Sequence, residues 1–150
     1  MKIGFTGTRI GMTEVQSGLI SQILNSHFNS GLALAAADVH RDIRQEFIFG
    51  DCIGADEQAA RMAKSIGYQL IARPSTLEKQ RAYVLVDYAY PPEHPLERNR
   101  KIVYDCELLL ACPATYEEIL RSGTWSTIRC AKRVHRQLII IFPDGKLEFG

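Results

Sequence analysis

Small hydroxyl residues and a glycine stand between an apolar run and a helical pattern in the last third of the chain. The turn contains Ser122, Gly123 and Thr124, and the apolar run before it covers 108–113. Glycine lets a ligand approach the backbone, and the first N–H groups of a helix point at an anion. We therefore expect these residues to bind a phosphate, although an ordinary capped helix start has the same composition. Trp125 suits either the core or stacking on a base or ribose.

Two further turns of similar composition follow apolar segments earlier in the chain. The first contains Gly7, Thr8 and Arg9, and the planar guanidinium of an arginine holds a phosphate through two hydrogen bonds. The second turn supplies a larger set of candidate ligand contacts, namely Gly50, Asp51, Cys52, Gly54, Ala55 and Asp56. Within it, Asp51 is expected to accept a hydrogen bond from a ribose hydroxyl. Asp56 suits both a ligand contact and the positive end of a helix dipole.

The composition of the chain argues against several classes of protein. It has 150 residues, of which 46% are apolar and 23% charged, which is typical of one globular domain over 1–150. The net charge of +1 gives no sign of a nucleic-acid or membrane surface, so neither partner is expected. No apolar run is long enough to span a bilayer, and the N-terminus leads straight into a strand-like segment. We therefore expect a cytoplasmic location.

The positions of the cysteines and histidines predict no metal site. The four cysteines form no C-x-x-C pair, and no histidine stands at zinc-finger spacing from them. We expect buried thiols in a reducing compartment, with Cys52 as the exception because it lies in a candidate binding turn. Nothing in the pattern requires a cofactor.

Apolar segments alternate with amphipathic ones along the chain. We predict strands at 2–6, 46–49, 68–72, 108–111 and 137–142, and helices at 14–28, 55–66, 96–104 and 122–134. The segment 30–45 is predicted to be a connector with some local helix, and no conformation is predicted for 76–95. The alternation indicates an α/β fold with a mostly parallel sheet of about five strands and helices on both faces. Ligands bind such sheets at the carboxyl ends of the strands, the edge that all three turns reach.

The three turns and the segment 96–101 resemble, in order and spacing, the motifs of the SLOG superfamily. This Rossmann-like group includes the Smf/DprA DNA-processing proteins and the Lonely Guy phosphoribohydrolases. The matching segments are 7–9, 50–56, 96–101 and 121–124, and a Pro-Asp-Gly turn at 143–145 is similar to that of small stand-alone members from bacteria and their phages. The resemblance implies a single-domain Rossmann-like three-layer α/β/α sandwich, a nucleotide-derived small-molecule ligand and a homodimer.

The resemblance also bears on single residues. Arg100 and Lys101 match a helix-borne Arg-Lys pair of the Lonely Guy enzymes. Arg98 and Arg100 lie two positions apart on a predicted helix and so point in different directions, and we expect Arg98 and Asn99 near the ligand. In the Lonely Guy motif a Gly-Thr pair precedes a Glu that takes part in cleaving an N-glycosidic bond, and Thr127 occupies that position here. The phosphate-binding residues of the Lonely Guy motif are therefore matched in this sequence, while its catalytic Glu is not. Arg100 and Thr127 remain candidate ligand contacts.

Three functions follow as hypotheses. The first is a non-catalytic sensor or sequestering protein for a nucleotide-derived signal, such as an ADP-ribose- or NAD-like molecule or a cyclic nucleotide, by analogy in conflict between phage and host. The second is an N-glycosidic hydrolase of nucleoside monophosphates, in which Glu118 or Asp51 replaces the missing acid. The third is binding of single-stranded DNA as in the Smf/DprA branch, against which the low net charge argues.

Overall fold

A central β-sheet organises the chain in the computed structural model, which describes residues 1–38 and 44–150. The strands are β1 (Lys2–Gly7), β2 (Glu46–Phe49), β3 (Gln69–Ala72), β4 (Tyr88–Ala89), β5 (Leu108–Cys112), β6 (Gln137–Ile141) and β7 (Leu147–Phe149). The helices among the described residues are α1 (Glu14–Ala37), α2 (Ala55–Ile66), α3 (Pro95–Asp105) and α4 (Gly123–Arg133), with a short 3-10 helix at Glu78–Gln80.

The strands form one sheet in the order β4-β3-β2-β1-β5-β6-β7. Neighbouring strands are parallel, except that β7 pairs antiparallel with β6. Helices connect the longer parallel strands and cover both faces, as expected for βαβ units. The predicted Rossmann-like α/β fold is therefore confirmed.

Successive residues of the buried strands face opposite layers of helices. In β5, Leu108 and Leu110 pack in the core under α1 and α2, whereas Leu109 and Ala111 pack in the core under α3 and α4. All five residues of β5 are buried, which explains its uninterrupted apolar sequence. The result is three layers, with the sheet between two pairs of helices.

Helix ends follow local sequence signals closely. Thr13 caps α1 in a reciprocal capping box with Gln16, and Gly67 ends α2 with a positive φ of 126°. The predicted span of α2 is confirmed. The predicted end of α1 at residue 28 is wrong, because the helix continues to Ala37 through an alanine-rich stretch with high helix propensity. The local helix predicted within the connector 30–45 is found over 30–37, as the continuation of α1, and residues 39–43 lie outside the described residues.

Among the described residues, the sheet has two short strands more than the predicted five. β4 contains two residues and β7 contains three, and both lie at the edges of the sheet. Segments this short give almost no periodic signal, so only their pairing with a neighbour reveals them. In the described ranges, no helix is both long and apolar enough to cross a membrane.

The direction of chain winding changes at the middle of the sheet. From β1 the chain adds β2, β3 and β4 on one side, and then returns to add β5, β6 and β7 on the other. The loops that leave β1 and β5 therefore diverge to opposite faces, which opens a crevice between them.

Candidate functional site

A cleft of about 800 Å³ lies at the carboxyl ends of the central strands. Its walls come from the loop after β1, the turn after β2, the first turns of α3 and the start of α4. Twelve of the candidate residues line it: Gly7, Thr8, Arg9, Gly50, Cys52, Asp56, Arg98, Asn99, Ser122, Gly123, Thr124 and Trp125. Six other candidates are outside the lining: Asp51, Gly54, Ala55, Arg100, Glu118 and Thr127. The volume suits a small-molecule ligand.

The N-terminus of α4 faces the cleft with open backbone donors. Ser122 caps the helix by accepting a hydrogen bond from the Trp125 amide at 3.3 Å. In residues 1–38 and 44–150, the amides of Gly123 and Thr124 have no acceptor. A side chain built at Gly123 would meet only open space, so a ligand reaches these amides unobstructed. Open amides and the positive end of the helix dipole favour an anion here.

At the N-terminus of α2, in contrast, the first amide is hydrogen-bonded to the protein itself. The Ala55 amide donates to the carbonyl of Thr8 at 2.9 Å, and Ala55 is fully buried. Gly54 has a φ of +88°, and a Cβ there would overlap the backbone carbonyl of Arg9. Gly54 and Ala55 therefore hold the loop after β1 in place, and the buried Asp56 carboxylate in the first turn of α2 disfavours an anion at this helix end.

Arg98 ties together the floor of the cleft. Its Nη1 donates to the carbonyls of Gly50 at 2.7 Å and Arg73 at 3.3 Å, which are the first residues after β2 and β3. Its Nε donates to Oδ1 of Asn99 at 2.8 Å. Most of its donors are thus used within the protein, so Arg98 supplies positive charge and order more than direct ligand contacts.

Asp56 is a buried carboxylate in the lining, only 5% exposed. Its Oδ2 accepts a hydrogen bond from the Cys52 amide at 3.2 Å. Loss of solvation raises the pKa of Asp56 to about 6, although the Arg98 charge opposes that rise. Burial, and after it the Asp56 charge, raises the pKa of the neighbouring Cys52 thiol, which keeps that thiol protonated at neutral pH. Among the described residues of the lining, Asp56 alone has a carboxyl group, and its pKa lies closer to neutral pH than that of an ordinary aspartate.

Asp51 serves the structure around the cleft. It is 1% exposed, and its carboxylate accepts hydrogen bonds from Arg81 at 3.1 Å and from the Val84 amide at 3.0 Å. Its φ is 55°, in the left-handed region that aspartate tolerates better than most residues. Asp51 thus pins the segment that follows the 3-10 helix to the end of β2, and both carboxylate oxygens already have protein donors.

The remaining outlying candidates also have protein partners. Thr127 is fully buried, and its hydroxyl donates to the carbonyl of Gly123 at 2.9 Å. Arg100 is exposed and pairs with Glu97 at 3.2 Å, so of the two arginines on α3 it is Arg98 that reaches the cleft. Glu118 is exposed and pairs with Arg129 at 2.8 Å. Each of these contacts accounts for the residue type without a ligand.

Trp125 lines the cleft but is almost fully buried. It is 6% exposed, it packs near Phe142 with ring centroids 6.4 Å apart, and its indole N–H donates to the Thr115 hydroxyl at 3.3 Å. Its main role is therefore in the core under α3 and α4, the first of the two alternatives that the sequence left open.

Sequence reasoning missed several lining residues, among them Ile10, Leu120 and Arg129, and it placed Leu96 and Arg121 in matching segments without naming them as ligand contacts. One signal was present for Arg129, because it stands seven residues after Ser122 and so two helical turns along the same face. With Arg9 and Arg98, the described part of the lining contains four arginines against a single carboxylate, a balance that favours an anionic ligand.

Comparison with known proteins identifies solved structures with a similar fold. No model of a protein family matches the chain, and a search of curated proteins finds no match either. Among solved structures, the chain is similar to the molybdenum cofactor binding protein of Rippkaea orientalis, with a TM-score of 0.67 and 19% identity over 94% of this chain and 76% of that one.

Two other solved structures share this architecture. The molybdenum cofactor carrier protein of Chlamydomonas reinhardtii matches with a TM-score of 0.61 and 15% identity, over 93% of this chain and 74% of that one. DNA processing protein A of Helicobacter pylori matches with a TM-score of 0.59 and 17% identity, over 93% of this chain and 64% of that one. The resemblance inferred from the sequence motifs is confirmed at the level of the fold.

Proposed function

We propose that the cleft binds a nucleotide-derived small molecule and that the protein acts as a sensor or sequestering protein for it. The observation that carries this proposal is the meeting of open α4 amides with an arginine-rich lining at the switch in strand order. Hydrogen bonds from amides and guanidinium groups to phosphate oxygens are charge-assisted and strong. A phosphate group at Gly123 and Thr124 satisfies donors that otherwise have no partner in the described chain.

The mouth of the cleft supports the nucleotide part of the proposal. Ile10, Leu96 and Leu120 line the cleft and are exposed, with Ile10 the most exposed at 85%. Large apolar side chains this exposed beside charged groups are typical of ligand sites, where a flat heteroaromatic ring covers them. The ligand that fits has an anionic end at α4 and an apolar ring at the mouth.

The named ligands of the structural neighbours support a small-molecule function. Two of these neighbours are a molybdenum cofactor binding protein and a molybdenum cofactor carrier protein. For the present chain we propose the nucleotide-derived class, which includes ADP-ribose- and NAD-like molecules and cyclic nucleotides. A role in conflict between phage and host, and assembly as a homodimer, are further proposals that rest on the family resemblance. Light scattering of the purified protein tests the dimer.

A matched pair of variants tests the site. Gly123→Asp places a carboxylate in open space over the α4 amides, where it repels an anion without disturbing the packing. Gly123→Asn has nearly the same shape and no charge. In thermal-shift measurements, a nucleotide at one hundred times its Kd adds about 2.7 kcal/mol of stability. We expect that shift with the wild-type protein and the Asn variant and not with the Asp variant. An equal shift in all three proteins would move the site away from α4.

A second candidate function is hydrolysis of the N-glycosidic bond of a nucleoside monophosphate. Asp56 favours it, because a lining carboxyl group with a pKa of about 6 suits general acid–base catalysis near neutral pH. It takes the place of Asp51 and Glu118, whose carboxylates bind other parts of the protein. Incubation with AMP or dAMP and detection of free base tests the reaction, and Asp56→Asn should abolish it while AMP binding persists. Absence of free base in the wild-type reaction would leave binding as the function.

Binding of single-stranded DNA is the third hypothesis, and one neighbour is described by that activity. The comparisons therefore do not support excluding nucleic acid as a partner. Four arginines in one cleft also provide sites for DNA phosphates. Titration with an oligonucleotide at several salt concentrations tests this, because binding through phosphates weakens steeply as salt rises.

A further inference from the structure

The four arginines of the cleft differ in whether the protein already neutralises them. Arg129 pairs with Glu118 at 2.8 Å, and Arg98 lies beside the Asp56 carboxylate, which that guanidinium stabilises. These two cations are balanced by one acid each. Arg98 and Arg129 therefore form hydrogen bonds that hold neighbouring segments in place, but they add little net charge to the cleft.

Arg9 and Arg121 are not balanced in this way. Each is exposed and lines the cleft, and neither forms an ion pair in the part of the chain that the structure describes. Arg9 follows β1 and Arg121 immediately precedes the Ser122 cap, so the two lie on the loops that diverge at the strand switch. The cleft therefore holds two uncompensated positive charges.

Buried polar side chains point to a ligand independently of these charges. Asn99 and Thr124 both line the cleft and are each only 7% exposed. Asn99 accepts from Arg98 through its oxygen, and its amide nitrogen has no acceptor among the described residues. The fully buried polar atoms of the described chain that lack a partner do not include this nitrogen, so it is open to the cleft and available to an acceptor on a ligand.

We propose that the ligand presents two negative charges to this cleft, as a phosphomonoester or a diphosphate does, and not the single charge of a cyclic phosphodiester. This inference rests on the proposed function and narrows it. A phosphomonoester carries about 1.5 to 2 negative charges near neutral pH, which matches the two uncompensated guanidinium groups. A phosphodiester carries about one and leaves one of them without a partner.

Affinity should follow this difference in charge. One additional charge-assisted contact corresponds to a roughly tenfold change in Kd, given the usual strength of hydrogen bonds to charged groups. Both arginines are exposed, so salt screens the effect, and the preference should shrink as ionic strength rises. A preference that arose from shape alone would be insensitive to salt.

The test compares nucleotides that differ in little besides this charge. AMP, GMP, CMP and UMP are each titrated beside the matching 3′,5′-cyclic nucleotide by isothermal titration calorimetry at pH 7.5 and 50 mM salt, and again at 300 mM. ADP-ribose is added to separate a diphosphate from a monoester. We expect at least one monophosphate or ADP-ribose to bind about tenfold more tightly than the cyclic nucleotide of the same base, with a smaller ratio at high salt.

Variants assign the preference to the two arginines. Arg9→Gln and Arg121→Gln should each reduce the ratio between the linear and the cyclic nucleotide, and the double variant should bring it close to one. Arg133→Gln is the matched control, because Arg133 is exposed on the same helix as the site and outside the cleft. It changes the net charge equally and should leave the ratio unchanged.

The outcomes separate this inference from the proposed function. Equal affinity for linear and cyclic nucleotides in the wild-type protein overturns the two-charge inference and leaves nucleotide binding intact. A preference that persists in the double variant also overturns it. Failure of all nine compounds to bind overturns both the proposed function and the inference.

Discussion

Replacing Gly54 with alanine should damage both the fold and the cleft. Gly54 precedes α2 with a φ of +88° and a ψ of −128°, a backbone conformation that is essentially restricted to glycine. A Cβ at this position would overlap the backbone of the loop after β1 at Thr8 and Arg9. Because that obstacle is main chain, it cannot rotate away as a side chain does.

Three effects of Gly54→Ala lower the unfolding free energy, and the structure allows each to be estimated. The strained backbone costs about 1–3 kcal/mol. Overpacking against the loop costs about 1–3 kcal/mol more. Displacement of the loop weakens the hydrogen bond from the Ala55 amide to the Thr8 carbonyl, at about 1 kcal/mol. We therefore expect Gly54→Ala to lose about 3–7 kcal/mol of unfolding free energy, which lowers Tm by roughly 10 °C or more.

Equilibrium unfolding in urea, followed by the fluorescence of the single tryptophan, measures this loss. Gly18→Ala is the matched control, because Gly18 lies within α1 and a Cβ there meets open space. It should gain about 0.5–1 kcal/mol from reduced backbone entropy. If Gly54→Ala lost less than about 1 kcal/mol, the loop after β1 could not be packed on α2 as described.

Three further predictions concern buried charges. Asp56 has a pKa of about 6 in the folded protein against an ordinary value of 3.8, so stability falls by about 3 kcal/mol as pH rises through that interval. Asp56→Asn should remove that fall, as urea unfolding at a series of pH values would reveal; an unchanged slope would assign it to another group. Arg98→Ala should lower the unfolding free energy by about 3–5 kcal/mol, because it leaves the Asp56 charge buried without an opposite charge. The loss should be smaller when Arg98→Ala is made in the Asp56→Asn background. Additive losses in this double-mutant cycle would contradict the coupling between the two residues. Asp51→Ala should cost about 3 kcal/mol or more because it strands Arg81 and the Val84 amide, whereas Asp51→Asn, which keeps an acceptor, should cost less in the same assay.

Much of the fold was predictable because its signals are local. Buried parallel strands such as β5 are read from an uninterrupted apolar run, and capping residues such as Thr13, Gly67 and Ser122 mark helix ends. Each of these signals depends on a few neighbouring residues. The edge strand β7 has no such signal, since three residues become a strand only by pairing with β6.

The cleft was predictable in outline and less so in its residues. Glycines and hydroxyl residues after parallel strands gave its position, because parallel strands end at one edge of the sheet. The division of labour between Asp51 and Asp56 was not predictable. It depends on Arg81, which forms an ion pair with Asp51, and on Arg98, whose charge acts on Asp56, and both arginines come from distant parts of the chain. Arg129 was predictable in principle from helical spacing.

The central position of β1 has a consequence for how the cleft is formed. One of its neighbours, β2, is contributed by the first half of the chain, and the other, β5, by the second. The floor of the cleft is consequently built from both halves of the chain, and neither half alone supplies all the hydrogen-bond donors that line it. A ligand that contacts residues from both halves would stabilise both of them against local unfolding. Ligand binding should therefore slow amide hydrogen exchange in β2 and in β5 at the same time.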